Sequence, residues 1–378
     1  MRVVILNSAR KFIGEAAHCL DLARELGRRG HQAMLVVREN SELAERAQSS
    51  QIESVAFHFT SSFSPTHDLK DITDLLKLIR RWCPDIVHCH RGKDHWIAAS
   101  AKILFPFLVP PLVRTRHVTV PIAQHAFNRF LFSHLTKHTI AVSQAAAMSL
   151  GAIGTRLGDR LHVVYSAVDT ERFSPSHRSL HVRSELGLQS GEQLVGLIAR
   201  IQNIKGQRVF LRAAAEVAKK CPHARFLIAG RGSEHKFEAL RAFATSLGLG
   251  EQVIFKSWLS NLPQVLASLD VSVIASLGSE GSSRIAYESM ASGVPLVATT
   301  VGCLPEIVSH NETGLLVPPA DESALAHAIC TLLSDNSLAT RLAQNALKRV
   351  QTFHNYDRWV NEILSVYRAS LLSSEGVE

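Results

Sequence analysis

The residues best suited to holding a sugar or an anion are Ser279-Glu280-Gly281-Ser282-Ser283-Arg284-Ile285-Ala286-Tyr287-Glu288. Gly281, Ser282 and Ser283 fall at the start of an expected helix, where unpaired backbone N–H groups can meet an anion or a hydroxyl. Ser282 or Ser283 also suits the capping position. Glu280 stands just before the turn and Glu288 about two turns into the helix. Carboxylates placed so can grip vicinal hydroxyls on two sugar rings. The same ten residues would serve equally as a capped helix carrying two solvated glutamates, so the segment alone does not decide.

A second cluster is Gly196-Leu197-Ile198-Ala199-Arg200-Ile201-Gln202-Asn203-Ile204-Lys205-Gly206. Arg200 closes an expected strand and Lys205 precedes an expected helix. Two cations on one such loop can clamp a diphosphate and stabilise its charge as it departs, which removes the need for a metal. Exposed loop charges are the plainer alternative. No Asp-x-Asp metal motif occurs, and no metal or cofactor is expected. Near the N-terminus, Arg10 and Lys11 lie in a strand-to-helix loop ending at Gly14. His88, His90 and His95 look at first like a metal cluster. Strand alternation puts His88 and His90 on one face, but no third ligand is evident.

These segments need elements to position them. Strand-like apolar runs alternate with helical patterns from Arg2 to about Tyr165, and the rhythm restarts at Gln193 after a polar stretch from about Ser174 to Glu192. Two such blocks imply two doubly wound parallel α/β sheets facing a central cleft, with ligands beyond the carboxyl ends of the strands. The expected domains are 1–175, joined by a C-terminal helix 356–378, and 190–355. No repeat period appears.

The charge is uneven. Residues 1–180 hold 23 Lys+Arg against 15 Asp+Glu, whereas residues 181–378 hold 18 of each. The first half also holds 13 of the 19 histidines. Phosphates, an anionic lipid surface or nucleic acid would each answer that excess, and so would plain solvation. Balanced charge in the second half and the lack of aromatic–basic patches count against nucleic acid. Six scattered cysteines without a Cys-x-x-Cys pair read as reduced thiols of a cytoplasmic protein. The opening residues run straight into a strand, unlike a signal peptide. The apolar run Ile103 to Val113 is too short to span a bilayer and is broken by prolines.

The Glu-x7-Glu segment continues through Ser289-Met290-Ala291-Ser292-Gly293-Val294-Pro295, Gly302, Leu304-Pro305-Glu306 and Thr313-Gly314-Leu315. This ordered run resembles the family 4 retaining glycosyltransferases, which have the GT-B fold of two Rossmann-like domains. The resemblance extends over nearly the full length and is densest from Gly196 to Val317. It implies that Glu288 binds the ribose hydroxyls of a nucleotide-sugar donor, while Glu280 and Gly281–Ser283 hold the sugar. It also implies that Arg200 and Lys205 take the diphosphate, that Gly230 passes close to the nucleotide, that Gly14 and His117 shape the reaction centre, and that the His88-x-His90 pair lines a cleft in place of binding zinc. Departures are the absence of a bulky apolar residue near Ser282, Ile13 in place of a glycine, and Ser166-Ala167 in place of Asn-Gly.

On this resemblance the expected catalytic group comprises Glu280, His117, Arg200 and Lys205, with Glu280 positioning the sugar and not acting as nucleophile. The implied activity is retaining transfer from a nucleotide sugar, UDP-linked by preference, to a glycan or lipid-linked acceptor, as in lipopolysaccharide or cell-surface glycan synthesis. Such an enzyme would work in the cytoplasm, with peripheral contact to the inner face of the membrane through its basic half. Arg114, Arg116 and His117 would suit a phosphorylated acceptor. Alternatives are a nucleotide-sugar epimerase or sugar phosphorylase of the same fold, or a non-enzymatic binder of anionic polymers.

Overall fold

A computed structural model describes residues 1–259 and 261–372. The chain divides into two α/β units, one of Met1–Ser166 with the segment from Tyr356 onward, the other of Ala167–Asn355.

The first unit contains β1 (Arg2–Asn7), β2 (Gln32–Arg38), β3 (Ser54–Phe57), β4 (Ile86–Cys89), β5 (Leu112–Arg116), β6 (Thr136–Ala141) and β7 (Leu161–Val163). All pair in parallel in the order β3-β2-β1-β4-β5-β6-β7. Val3, Val4, Ile5 and Leu6 are all fully buried, so β1 is covered on both faces, which is why it reads as an unbroken apolar run. Helix Gly14–Arg28 follows. It ends because Gly30 adopts φ +75°, which lets Gly30 N–H donate to Gly27 O and His31 N–H to Leu26 O. Helix Tyr356–Leu372 packs on this helix and on β6 with Trp359 and Tyr367 buried. The rest of the expected segment, 373–378, lies outside the described residues.

The second unit contains β8 (Gln193–Ile198), β9 (Ala224–Ala229), β10 (Val253–Lys256), β11 (Val271–Ile274), β12 (Leu296–Thr299) and β13 (Leu315–Val317). Its parallel order is β10-β9-β8-β11-β12-β13. Alternation along β8 sends Val195 and Leu197 into the core cluster of Phe210 and Phe226, and Leu194 into that of Tyr287 and Met290. The expected pair of doubly wound Rossmann-like sheets is therefore present.

Two expected domain bounds differ from the observed units. The stretch 167–175, assigned to the first domain, belongs to the second, where Val168 and Phe173 are buried and Val168 N–H donates to His354 O at 2.9 Å. Residues 176–189, left between domains, pack there too through Val182 and Leu186. β13 is three residues long, too short for an alternation pattern to show. All six cysteines are free, but only Cys19, Cys89 and Cys303 are buried; Cys83 is exposed.

Candidate active site

In the second domain the chain order reverses at β8. β9 and β10 lie on one side of it, β11 to β13 on the other. The loops leaving the carboxyl ends of β8 and β11 therefore diverge from neighbouring strands, the switch point at which open α/β sheets bind ligands. Both expected donor segments sit on those loops. Leu277 N–H donates to Ile204 O at 2.8 Å, which ties one loop to the other. The approach is closer still at Gly206 (φ +70°), where a Cβ would lie 1.8 Å from Ala275 O. Only glycine fits there.

That docking brings Lys205 and Glu280 together, 75 residues apart in sequence, as an ion pair. Ser276 Oγ donates to the same carboxylate oxygen at 2.5 Å. The Glu280 backbone is held from the loop after β12, since Cys303 N–H donates to Glu280 O at 2.9 Å. Glu280 is only 4% exposed, and the Lys205 side chain 19%. Removing two charges from water is costly, and an apolar pair would pack there at least as stably. Glu280 is also bracketed by left-handed non-glycine residues, Ser279 at φ +56° and Ser283 at φ +37°. Each costs on the order of 1–3 kcal/mol. Desolvated charge and backbone strain coincide in one five-residue loop, Ser279 to Ser283, as in a site kept for chemistry.

Ser283 stands at the N-cap position of helix Arg284–Ala291, but its side chain makes no capping hydrogen bond. Its left-handed backbone turns the hydroxyl away from the helix N–H groups, and Ser283 Oγ is buried without a hydrogen-bond partner. Glu288 is about one turn into the helix, not two, and is buried with Arg284 Nε 3.6 Å from its carboxylate. Arg200 is exposed, and its carbonyl accepts from buried Gln207 Nε2 at 2.8 Å, which sets the loop. Gly230 has φ +143° and a Cβ there would lie 2.0 Å from Ala199 O, so β9 leaves hard against the Arg200 loop. Next to it Arg231 lies over the exposed Trp258 ring at 5.1 Å, a pairing the sequence reading did not single out.

In the first domain, Gly14, Arg10 and Lys11 are exposed at the end of β1, while histidines gather at the ends of β4 and β5. His88 and His90 do share a face, with ring centroids 4.1 Å apart. His88 Nδ1 meets Tyr367 Oη at 2.7 Å and its Nε2 meets Thr115 Oγ1 at 2.6 Å. His90 Nδ1 and His117 Nε2 lie 2.9 Å apart, one donating to the other. Burial depresses the pKa of His88, His90 and His117 well below the usual imidazole range, and neighbouring histidines and Arg114 add to the effect. These rings are neutral.

His95 leaves the group: its Nε2 pairs with Thr136 Oγ1 at 2.8 Å and its ring sits edge-on to Phe132. The third member is His18, from helix Gly14–Arg28, T-shaped against His117 at 4.8 Å. Sequence reading missed it because its neighbours in the cluster are 72 or more positions away. The idea that Arg114 and Arg116 face a phosphorylated acceptor is also corrected. Arg116 is buried and spends its guanidinium on Ser149 Oγ and Val120 O, with burial pushing its pKa down to about 10. Arg114 is buried beside Asp94, whose carboxyl accepts from Ser8 N–H and Arg91 N–H. Burial raises the Asp94 pKa from 3.8 to about 6, against the opposing pull of Arg114.

Comparison with known proteins agrees with this architecture. Residues 14–172 match the model of Glycosyltransferase Family 4, and residues 192–335 that of Glycosyl transferases group 1. A D-inositol 3-phosphate glycosyltransferase of Nocardia farcinica is 34% identical over 77% of this chain and 68% of that protein. An uncharacterized glycosyltransferase of Methanocaldococcus jannaschii is 26% identical over 95% of each. The crystal structure of HepE from Anabaena with UDP and glucose superposes with a TM-score of 0.84, at 23% identity, over 99% of this chain and 100% of that one. The chain belongs to the group 1 and family 4 glycosyltransferases. It is a transferase of GT-B fold, which sets aside the non-enzymatic binder.

Proposed function

We propose that the protein transfers a sugar, with retention and without a metal cofactor, from a UDP-sugar to a glycan or lipid-linked acceptor of the cell surface, lipopolysaccharide included. The observation that carries this reading is the nearly buried Lys205–Glu280 pair at the switch point. An ammonium has three N–H donors, so Lys205 can hold Glu280 and still donate to a phosphate oxygen. Arg200 shares the diphosphate, Glu288 takes the ribose hydroxyls, and Glu280 with Gly281, Ser282 and Ser283 positions the sugar beside the Gly230 turn. In transfer the bond from the anomeric carbon to the diphosphate oxygen breaks as the acceptor oxygen bonds to the same face of that carbon. The acceptor proton passes to the departing oxygen, whose charge Lys205 and Arg200 stabilise. The first domain receives the acceptor, and neutral His117 and the Gly14 turn are its contribution. The HepE complex supports a UDP donor. The Nocardia relative makes a phosphorylated cyclitol the second acceptor to try.

The test is nucleotide release from a panel of UDP-, GDP- and ADP-sugars, with and without EDTA and with each acceptor class. One donor should be released at a rate that EDTA leaves unchanged, and Lys205→Ala should slow it on the order of 10²- to 10³-fold. Full release by Lys205→Ala or Glu288→Ala would refute the site. Among the described residues no helix is long and apolar enough to cross a membrane. Exposed Ile103, Leu104 and Phe107 on the basic first domain support peripheral contact with anionic lipid. Sedimentation with anionic vesicles should then exceed that with neutral ones; equal sedimentation removes this part.

A further inference from the structure

His18, His90 and His117 reach one spot from three segments: the first helix, the end of β4 and the end of β5. One ring nitrogen from each lies within 4.8 Å of the other two. We propose that these three imidazoles form a binding site for a single zinc-class transition-metal ion, with a fourth position left open. The site is distinct from the metal-free chemistry above, and filling it inhibits that chemistry because the ion captures His117. The inhibition rests on the transferase reading; the binding does not.

Geometry favours the ion. Zinc–nitrogen bonds of about 2.0–2.1 Å in a tetrahedron set the nitrogens about 3.4 Å apart. The three rings need to close by little more than an ångström, within reach of side-chain rotation on a helix and two strand ends. His90 and His117 are already 2.9 Å apart and need only separate slightly. His90 Nε2 is buried without any hydrogen-bond partner, so that ring has donor capacity its neighbours leave unused. His88 is not a fourth ligand, since both its nitrogens are occupied by Tyr367 and Thr115. Trp359 stands edge-on to His18 at 4.8 Å and forms an apolar wall. The buried cation nearby, Arg114, opposes a metal, but buried Asp94 offsets its charge. Three imidazoles with no carboxylate among them suit zinc, cobalt, nickel or copper and not magnesium or calcium.

Full-length protein stripped with EDTA and dialysed is titrated with Co²⁺, with bound metal counted by elemental analysis and the visible d–d absorption recorded. Wild type should take up about one equivalent with strong visible absorption typical of low-coordinate cobalt, displaced by Zn²⁺. His18→Gln and His90→Gln should lose that absorption, while His162→Gln, elsewhere in the same domain, should keep it. His18→Cys should restore binding and add a thiolate charge-transfer band, which a merely unfolded variant cannot do. Zn²⁺ should suppress nucleotide release at least tenfold in wild type, and His18→Gln should escape that suppression. Absent visible absorption in wild type, or unchanged absorption in His18→Gln, overturns the site. Cobalt binding in a protein that releases no nucleotide counts against the transferase assignment and leaves the metal site standing.

Discussion

At the carboxyl ends of β8 and β11, Lys205 and Glu280 meet as charges on two loops pressed together at Gly206. At the corresponding ends of β4 and β5, the first domain gathers neutral imidazoles, ring against ring, with Tyr367 of the last helix bonded to one of them. Both domains build on the same parallel scaffold and the same strand ends. They differ in what the loops are asked to hold. A charged pair suits the grip on an anionic donor, because developing phosphate charge needs fixed cations. A neutral cluster suits a place where uncharged hydroxyls meet a reacting carbon and a second charge would compete.

The difference should show most strongly in acid. Burial lowers the folded-state pKa of His88, His90, His95 and His117. The unfolded chain therefore binds protons below about pH 6.5 that the folded domain refuses, so stability is complete above that pH and falls beneath it. The loss is about 1.4 kcal/mol per pH unit for each imidazole. Asp94 has the opposite sign: its folded value near 6 lies above its unfolded 3.8, so its contribution is present at low pH and lost as pH rises through 6. Four imidazoles outweigh one carboxyl. Hydrogen exchange, corrected for intrinsic rates, should show the first domain opening before the second between about pH 7 and pH 5.5. Equal loss in both domains would end the comparison.

A smaller effect separates two glycines. At Gly302 (φ +56°) a Cβ would lie 2.1 Å from Glu280 O, whereas at Gly30 (φ +75°) it would meet nothing within 4 Å. Gly302→Ala should cost on the order of 3 kcal/mol or more in urea unfolding and disturb donor release. Gly30→Ala should cost about 1 kcal/mol, its backbone strain alone. Similar values would mean that the loops of the second domain are less tightly docked than their geometry indicates. Smallest of all, Arg10→Ala and Lys11→Ala alter exposed side chains and should change stability by less than about 0.5 kcal/mol. A larger change in melting would show that the first loop is structural.

Legibility followed chain separation. The segment proposed to hold the donor stood out as a candidate because Glu280, Gly281, Ser283 and Glu288 lie within nine residues, and the strand–helix rhythm around them is local. Where a residue's role depended on distant partners, reading failed. Ser283 looked like a cap until the backbone turned left-handed, Arg116 looked free until Ser149 and Val120 took it, and His18 had no visible reason to join His90. The domain boundary slipped for the same reason, since Val168 and Phe173 are apolar residues whose core lies far along the chain.

The amino-acid order by itself determined two doubly wound parallel sheets, the loops at their strand ends, and which loops carry carboxylates and cations. Periodicity and short-range spacing suffice for these because backbone hydrogen bonding and one-sided burial act locally. Tertiary structure alone decided that Lys205 would meet Glu280, that Tyr367 would reach His88, and that three histidines would share one dry spot. Those contacts join residues from 27 to 279 positions apart, and only packing of the finished sheets selects them.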